Sequence, residues 1–151
     1  MVKVKSLHIN WSDPKPIDEV IDDLSGEIGL YYITKLYNGV ETSLYIGKSD
    51  SSTKRRLRSH RKEWTHLYSH SAIMVRIGTI TYPKIINNDM INDAESALIF
   101  EHGCGIYGTK ELVENTDKIS SYSYNDLYRI KNYGNRFHLK PIVDMSCHPD
   151  C

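Results

Sequence analysis

The alternation of apolar and polar positions changes period several times along the chain, and each change marks a predicted element. After a short start in which apolar residues alternate, "DPKPIDEVIDDLSG" spaces Ile17, Val20, Ile21 and Leu24 at helical intervals. Asp13 is the predicted N-cap, the prolines fall in the first turn, and Ser25-Gly26 ends the helix. Residues 29–37 and 41–47 are β-rich runs joined through "YNGV". Asn-Gly tolerates the successive positive φ angles that a tight turn requires, so a β-hairpin is predicted. "DSSTKRRLRSHRKEWTHL" then offers Ser52 or Thr53 as N-cap of a polar helix with Leu57 and Trp64 on its buried side. "AIMVRIGTITY" reads as a third strand closed by Pro83, and "NNDMINDAESALIFEHG" as a helix from near Asn92 to Gly103. Beyond Gly105 the periodicity fades. "TKELVENTD" suggests a helical turn, the tyrosine-rich "ISSYSYNDLYRIKNYGNRF" reads mostly as loop, and "PIVDM" as a short strand.

A chain of 151 residues is long enough for one domain with a real core and too short for two ordinary ones. The expected organisation is residues 1–28 as an N-terminal extension whose helix packs on the core, and 29–151 as the main domain. Composition is ordinary for a globular protein, except for eleven tyrosines. No apolar run approaches the ~20 residues of a membrane span, and the start lacks the apolar middle of a secretory signal. A cytoplasmic or nucleoid-associated protein, neither secreted nor membrane-bound, is therefore expected. Cys104, Cys147 and Cys151 lack the spacing of a disulfide framework, so reduced thiols are the default.

The formal charge is zero, but it is unevenly distributed. Seven of the nineteen basic residues lie between positions 48 and 62: Lys48, Lys54, Arg55, Arg56, Arg58, Arg61 and Lys62. The first thirty residues carry six acids against three bases. A basic face on a neutral protein suits a phosphate partner, although a solvated helix face has the same composition.

Taken in order, Gly29-Leu30-Tyr31, Tyr45-Ile46-Gly47, Arg56 with His60 on the following helix, Glu95 on a later helix and Asn115 beyond it resemble the GIY-YIG nuclease family. The resemblance covers about residues 29–115. It implies an α/β (α+β) fold, a small three-stranded mixed or antiparallel sheet flanked by helices, that cuts phosphodiester bonds with one divalent metal, Mg²⁺ or Mn²⁺. Carried over position by position, it makes Tyr31 and Tyr45 the strand tyrosines, Arg56 the helical arginine, His60 the histidine, Glu95 the metal ligand and Asn115 the late asparagine. Arg55 is an alternative to Arg56; Arg56 is preferred because His60 then follows four residues later on the same helical face.

The chemistry is consistent with these residue types. Phosphodiester cleavage needs a nucleophilic water, a base and positive charge where the phosphate oxygens develop charge. A tyrosine serves as base only if cations such as Lys48, Arg56 and a metal lower its pKa. One carboxylate, Glu95, suffices for Mg²⁺ when substrate phosphate and water complete the octahedron. Tyr31 is the expected base and Tyr45 its assistant. DNA is the expected substrate, with RNA not excluded, and a homodimer or a partner protein would choose the target. A catalytically inactive nucleic-acid-binding module on the same fold is the alternative.

Each position alone also has a plainer reading. Tyr31 and Tyr45 suit a cross-strand aromatic pair, and "NDAE" suits a capping box with Glu95 reaching back to Asn92. Asn115 would pass as a turn residue. Cys104, Cys147 and Cys151 with a histidine would make a zinc site only through loose terminal spacing.

Overall fold

The computed structural model describes residues 3–23, 29–49, 53–104, 108–115 and 124–147. In chain order its elements are β1 (Val4–Trp11), β2 (Lys15–Pro16), α1 (Ile17–Asp23), β3 (Gly29–Tyr37), β4 (Val40–Ser49), α2 (Thr53–Leu67), β5 (Ala72–Tyr82), α3 (Asn88–His102), β6 (Leu127–Gly134) and β7 (Ile142–Asp144). A short 3₁₀ turn, Met145–Cys147, follows β7. The expected three-stranded sheet is corrected to a curled, half-barrel sheet of seven strands in the order β4-β3-β5-β1-β6-β7, with β2 beside β5. The hairpin β3-β4 and strand β5 are the three strands of the expected sheet, and β7 is the short strand read in "PIVDM". The others come from the two ends of the chain: β1 lies between β5 and β6, antiparallel to the first and parallel to the second.

The hairpin forms for the reason its sequence implies. Asn38 and Gly39 turn with φ of 49° and 76°, the positive pair that matches the twist of the flanking strands. Successive residues of β3 point to opposite faces, and residues 29–34 are all buried, so helices cover both sides of this strand. On one side Leu30 and Tyr32 join Leu7, Ile9 and Trp11 of β1 beneath Ile91, Ala94 and Leu98 of α3. On the other, Tyr31 and Ile33 pack with Ile17, Val20 and Ile21 of α1 and with Leu57 and Trp64 of α2. Burying each such side chain is worth roughly 1.5–3 kcal/mol.

Three boundaries differ from expectation. Lys15 and Pro16 pair with β5, so α1 begins at Ile17, and Asp13 instead accepts a hydrogen bond from Asn135 Nδ2 at 3.2 Å. Helix α3 begins at Asn88, capped by Asn87, whose Oδ1 accepts from the Met90 amide at 2.9 Å. Residues 109–115 form turns and a single bridge from Leu112 to Gly103 rather than a helical turn. Leu24, Ser25, Gly26 and Ser52 lie outside the described residues. Among the described residues no helix is long and apolar enough to cross a membrane.

Inside the curl of the sheet lies a charged cluster that propensity does not foreshadow. Arg76 of β5 is 2% exposed. It binds Glu41 through Nη1 at 2.5 Å and Nη2 at 3.2 Å, and its guanidinium lies 4.8 Å from the Phe137 ring centre. Thr34 Oγ1 donates to the same carboxylate at 2.5 Å. Burial alone would raise the Glu41 pKa, but the hydrogen bonds from Arg76 and Thr34 outweigh it and hold the group below its ordinary 4.5. A carboxylate whose folded pKa is depressed contributes stability above its unfolded value and loses it as pH falls through the folded one. Removing one partner of such a pair leaves the other charge uncompensated. Arg76→Met should therefore destabilise the fold by about 3 kcal/mol in chemical denaturation at neutral pH, with the deficit shrinking below pH 4.5 and partly restored by adding Glu41→Gln.

Candidate functional site

Strand β4 forms one edge of the sheet, and a cavity of about 380 Å³ opens beside it between α2 and α3. From β4 come Tyr45 and Lys48, and from α2 come Arg55, Arg56, Ser59 and His60. Helix α3 contributes Glu95 and Ile99, and the segment before the chain leaves the described residues contributes Glu114 and Asn115. Lys48, Arg55, Arg56, Tyr45, His60, Glu95 and Asn115 are all sequence-predicted positions. Tyr31 is not in the wall, and Lys54, Arg58, Arg61 and Lys62 lie elsewhere on α2. Arg58 and Lys62 are exposed, while Arg61 is tied to Asp18 of α1 at 2.7 Å.

Tyr31 stands behind Tyr45. The two rings stack with centres 6.0 Å apart and planes at 25°. Tyr31 pairs across the sheet with Gly47, and a Cβ on Gly47 would fall 2.4 Å from the Tyr31 hydroxyl. The glycine therefore leaves the space into which the phenol lies. That hydroxyl is buried and has no partner at full hydrogen-bond geometry among the described residues. Burial first, then the neighbouring Tyr45 and Glu95, push its pKa well above the ordinary 10, with Arg56 pulling the other way. An unpaired buried hydroxyl costs about 1–3 kcal/mol, an expense that functional sites commonly carry.

The ring column continues outward from Tyr45. The His60 ring lies 4.7 Å from Tyr45 and stacks on Trp64 at 4.3 Å and 7°. Burial and, secondarily, the Arg56 charge lower the His60 pKa below its ordinary 6.5, against an opposing pull from Glu114. His60 is thus neutral near pH 7, able to donate from one ring nitrogen and accept at the other.

Glu95 is buried in the middle of α3. With the helix starting at Asn88, Glu95 is eight positions in, so the capping-box reading does not hold. Asn92 lies one turn earlier on the same face, and Lys48 Nζ donates to its Oδ1 at 3.0 Å, which holds this cation along the Glu95 side of the cavity. Among the described residues there is no group of three or more His, Cys, Asp or Glu placed to hold a metal. The donor set is one buried carboxylate, with Glu114 on the far wall already accepting the Tyr68 hydroxyl. That bond and burial raise the Tyr68 pKa to about 12. Such a set fits Mg²⁺, which keeps most of its water, and does not fit a cation that needs a full protein cage.

Asn115 plays a different part from the one expected. Its Oδ1 accepts from the Ile46 amide and its Nδ2 donates to the Ile46 carbonyl, both at 2.9 Å. The Glu114 amide donates to the Leu44 carbonyl at 2.9 Å. The carboxamide thus stands in for a neighbouring strand along the free edge of β4, and its polar atoms are committed to positioning Tyr45 and Gly47. Ser59, Asn92, Ile99 and Glu114 were not anticipated as site residues. Only Asn92, three residues before Glu95, carried a signal in its spacing. Cys104 is exposed, with its thiol 3.8 Å from the Lys110 and Leu112 carbonyls; the Cys147 side chain and Cys151 lie outside the described residues.

Asn115→Ala would leave both Ile46 backbone groups unpaired, and each such group costs about 1–3 kcal/mol. The expected result is a less stable protein in which the Ile46 amide exchanges hydrogen faster while amides of β5 are unaffected, read by site-resolved hydrogen exchange. Comparison of the chain with family models, with curated proteins and with solved structures returned no match, so the functional reading rests on this cavity.

Proposed function

We propose that the protein is a divalent-metal-dependent endonuclease that hydrolyses phosphodiester bonds in DNA. The observation that carries the proposal is the joint lining of one cavity by three cations, a buried carboxylate, a phenol and a neutral imidazole drawn from three separated segments of the chain. Packing has no need to gather these groups at one place, whereas polyanion cleavage has a use for each, as base, proton relay, metal ligand or counter-charge.

Within this reading Arg56 and Lys48 hold the scissile phosphate and oppose the charge that grows on its oxygens, while Arg55 widens the cationic rim. Glu95 would hold Mg²⁺ or Mn²⁺, with substrate and water completing the shell; bound there, the ion supplies Lewis-acid polarisation of the phosphate. The proton of the attacking water must pass to a group within hydrogen-bond reach. Tyr45 borders the cavity and Tyr31 does not, so Tyr45 takes the water-facing role and Tyr31 backs it. The sequence favoured Tyr31 as base while leaving the choice between the two tyrosines open, and this reading takes the other one. His60, neutral and in contact with Tyr45, relays the proton outward. Tyr31 would reach water only if the stack with Tyr45 opened.

The sealed Tyr31 hydroxyl and the structural use of Asn115 favour one competing reading, an inactive module that grips nucleic acid without cutting it. Binding in EDTA with no product from duplex, branched, single-stranded or RNA substrates would select that reading.

Two outcomes are expected of the nuclease. In magnesium, Glu95→Ala should lower cleavage of plasmid or branched DNA by roughly 10²–10³-fold, and near wild-type cleavage by this variant would end the mechanism. Because His60 acts neutral, the rate should climb as pH rises through a value below 6.5 and level off by pH 7. That limb should disappear from the pH–rate profile of His60→Gln.

A further inference from the structure

Helices α1 and α2 cover one side of the sheet over β3, β4 and β5, and among the described residues no helix continues over β1 and β6 on that side. What faces outward there follows from the register. Leu7, Ile9 and Trp11 of β1 point into the α3 core, so Ser6, His8 and Asn10 point the other way; the same alternation turns Arg129, Lys131 and Tyr133 of β6 outward. Tyr82 of β5 is opposite His8. The three rings are in contact, Tyr82 to His8 at 5.3 Å and His8 to Tyr133 at 5.5 Å, although both tyrosines remain about half exposed. Core aromatics hide their rings, whereas this row spans three strands in solvent.

Charge says what would cover it. Lys131 lies in register with His8, and Arg129 one step along in register with Ser6. The carboxylate on this face, Asp144, is already bound by Arg129 Nε and Nη2 at 3.1 Å and by Ser146, and the Arg129 side chain is still 54% exposed. The rings are inclined to one another, by 39° between His8 and Tyr82 and 70° between His8 and Tyr133; a half-exposed aromatic row of this kind, bordered by cations, offers successive bases separate rings to stack on and the backbone between them a charge to meet. We propose that this face of β5, β1 and β6 docks single-stranded nucleic acid, with bases on Tyr82, His8 and Tyr133 and phosphates on Lys131 and Arg129. The strand order puts the face two to four strand spacings from β4, roughly 9–19 Å along the sheet, on the side that carries α2. Resting on the nuclease reading, it makes the preferred substrate one with an unpaired arm beside the scissile bond.

The test is fluorescence anisotropy with a short labelled thymidine oligonucleotide, run beside cleavage of blunt duplex and of a flapped duplex. The wild-type protein should bind the oligonucleotide. Tyr82→Ala/Tyr133→Ala should weaken that binding by about tenfold or more, and Tyr82→Phe/Tyr133→Phe should keep it, because stacking needs the ring and not the hydroxyl. Lys131→Glu should lower the slope of log affinity against log salt by about one. Cleavage of blunt duplex should be unchanged in all three, while preference for the flapped substrate falls in the alanine pair. No oligonucleotide binding by wild type, or full binding by a folded alanine pair, would overturn the proposal. So would dimerisation that the alanine pair abolishes in sedimentation, which would assign the face to a second copy. Oligonucleotide binding that depends on the tyrosines in a protein that cuts nothing would leave the docking face standing and sink the nuclease reading alone.

Discussion

The cavity exists because the edge of a sheet has been closed by a side chain. Strand β4 carries Tyr45, Gly47 and Lys48, and as the terminal strand it would present unpaired amides and carbonyls along its outer side. Asn115 answers with a carboxamide, which offers a donor and an acceptor in the spacing of a peptide group, and the Glu114 amide adds a bond one step along. A true eighth strand would have filled the space into which α2 and α3 lean. A single carboxamide closes the ladder at Ile46 and leaves room for a pocket immediately beyond it. Rigidity at β4 matters for what lies behind as well, since Tyr31 is held against Gly47 by the register of the same two strands.

Two opposing electrostatic demands meet in that pocket. A phenol is useful as a base only if its anion is stabilised, which calls for cations, and it is held in place only if packed, which calls for removal from water. The two tyrosines divide these demands. Tyr31 is packed fully, and burial moves its pKa away from any useful range. Tyr45 is half-buried and shares the cavity wall with Arg56 and Lys48. His60 resolves the same conflict in another way, because for a base of this type burial and a neighbouring arginine both favour the neutral form. The helix that lends the cavity its arginines thus also keeps its own histidine unprotonated.

How far the sequence discloses this depends on how local each cause is. The hairpin was legible because Asn38-Gly39 encodes its turn in two residues, and β5 because "AIMVRIGTITY" is rich in β-branched and apolar residues and is closed by Pro83. Of the seven cavity residues anticipated, Tyr45, Arg56, His60, Glu95 and Asn115 were legible through the order in which they follow one another and the helical spacing of Arg56 and His60, and Lys48 and Arg55 through the run of basic residues between 48 and 62. The width of the sheet was not legible, because β6 presents itself as "LYRIKNYG", whose Tyr, Asn and Gly content reads as loop. Its partner is β1, more than a hundred residues earlier, and the bond that marks the pairing is the buried Trp11 Nε1 to Asn132 Oδ1 at 3.0 Å. Nothing within a local window reports that Asn132 is a core residue. The role of Asn115 was misread for a similar reason, since whether a carboxamide faces solvent, substrate or a strand edge is decided by a contact 69 positions away.

Size then separates cutting from choosing. About 380 Å³ lies near the lower end of the volumes that enclose small ligands, enough for a phosphate with parts of its flanking sugars and far too little for several base pairs. Groups in such a pocket meet atoms common to every nucleotide, and contacts to phosphate carry no sequence information. Under the proposed reading, any preference among substrates must arise outside the cavity, from surfaces that meet bases or shape. Strands β1 and β6 do not border the cavity, so their outward residues are under no demand from the chemistry. A wide sheet with chemistry at one edge can therefore vary its far face without moving Tyr45 or Glu95, which a sheet of three strands, with every strand bordering the site, would not permit.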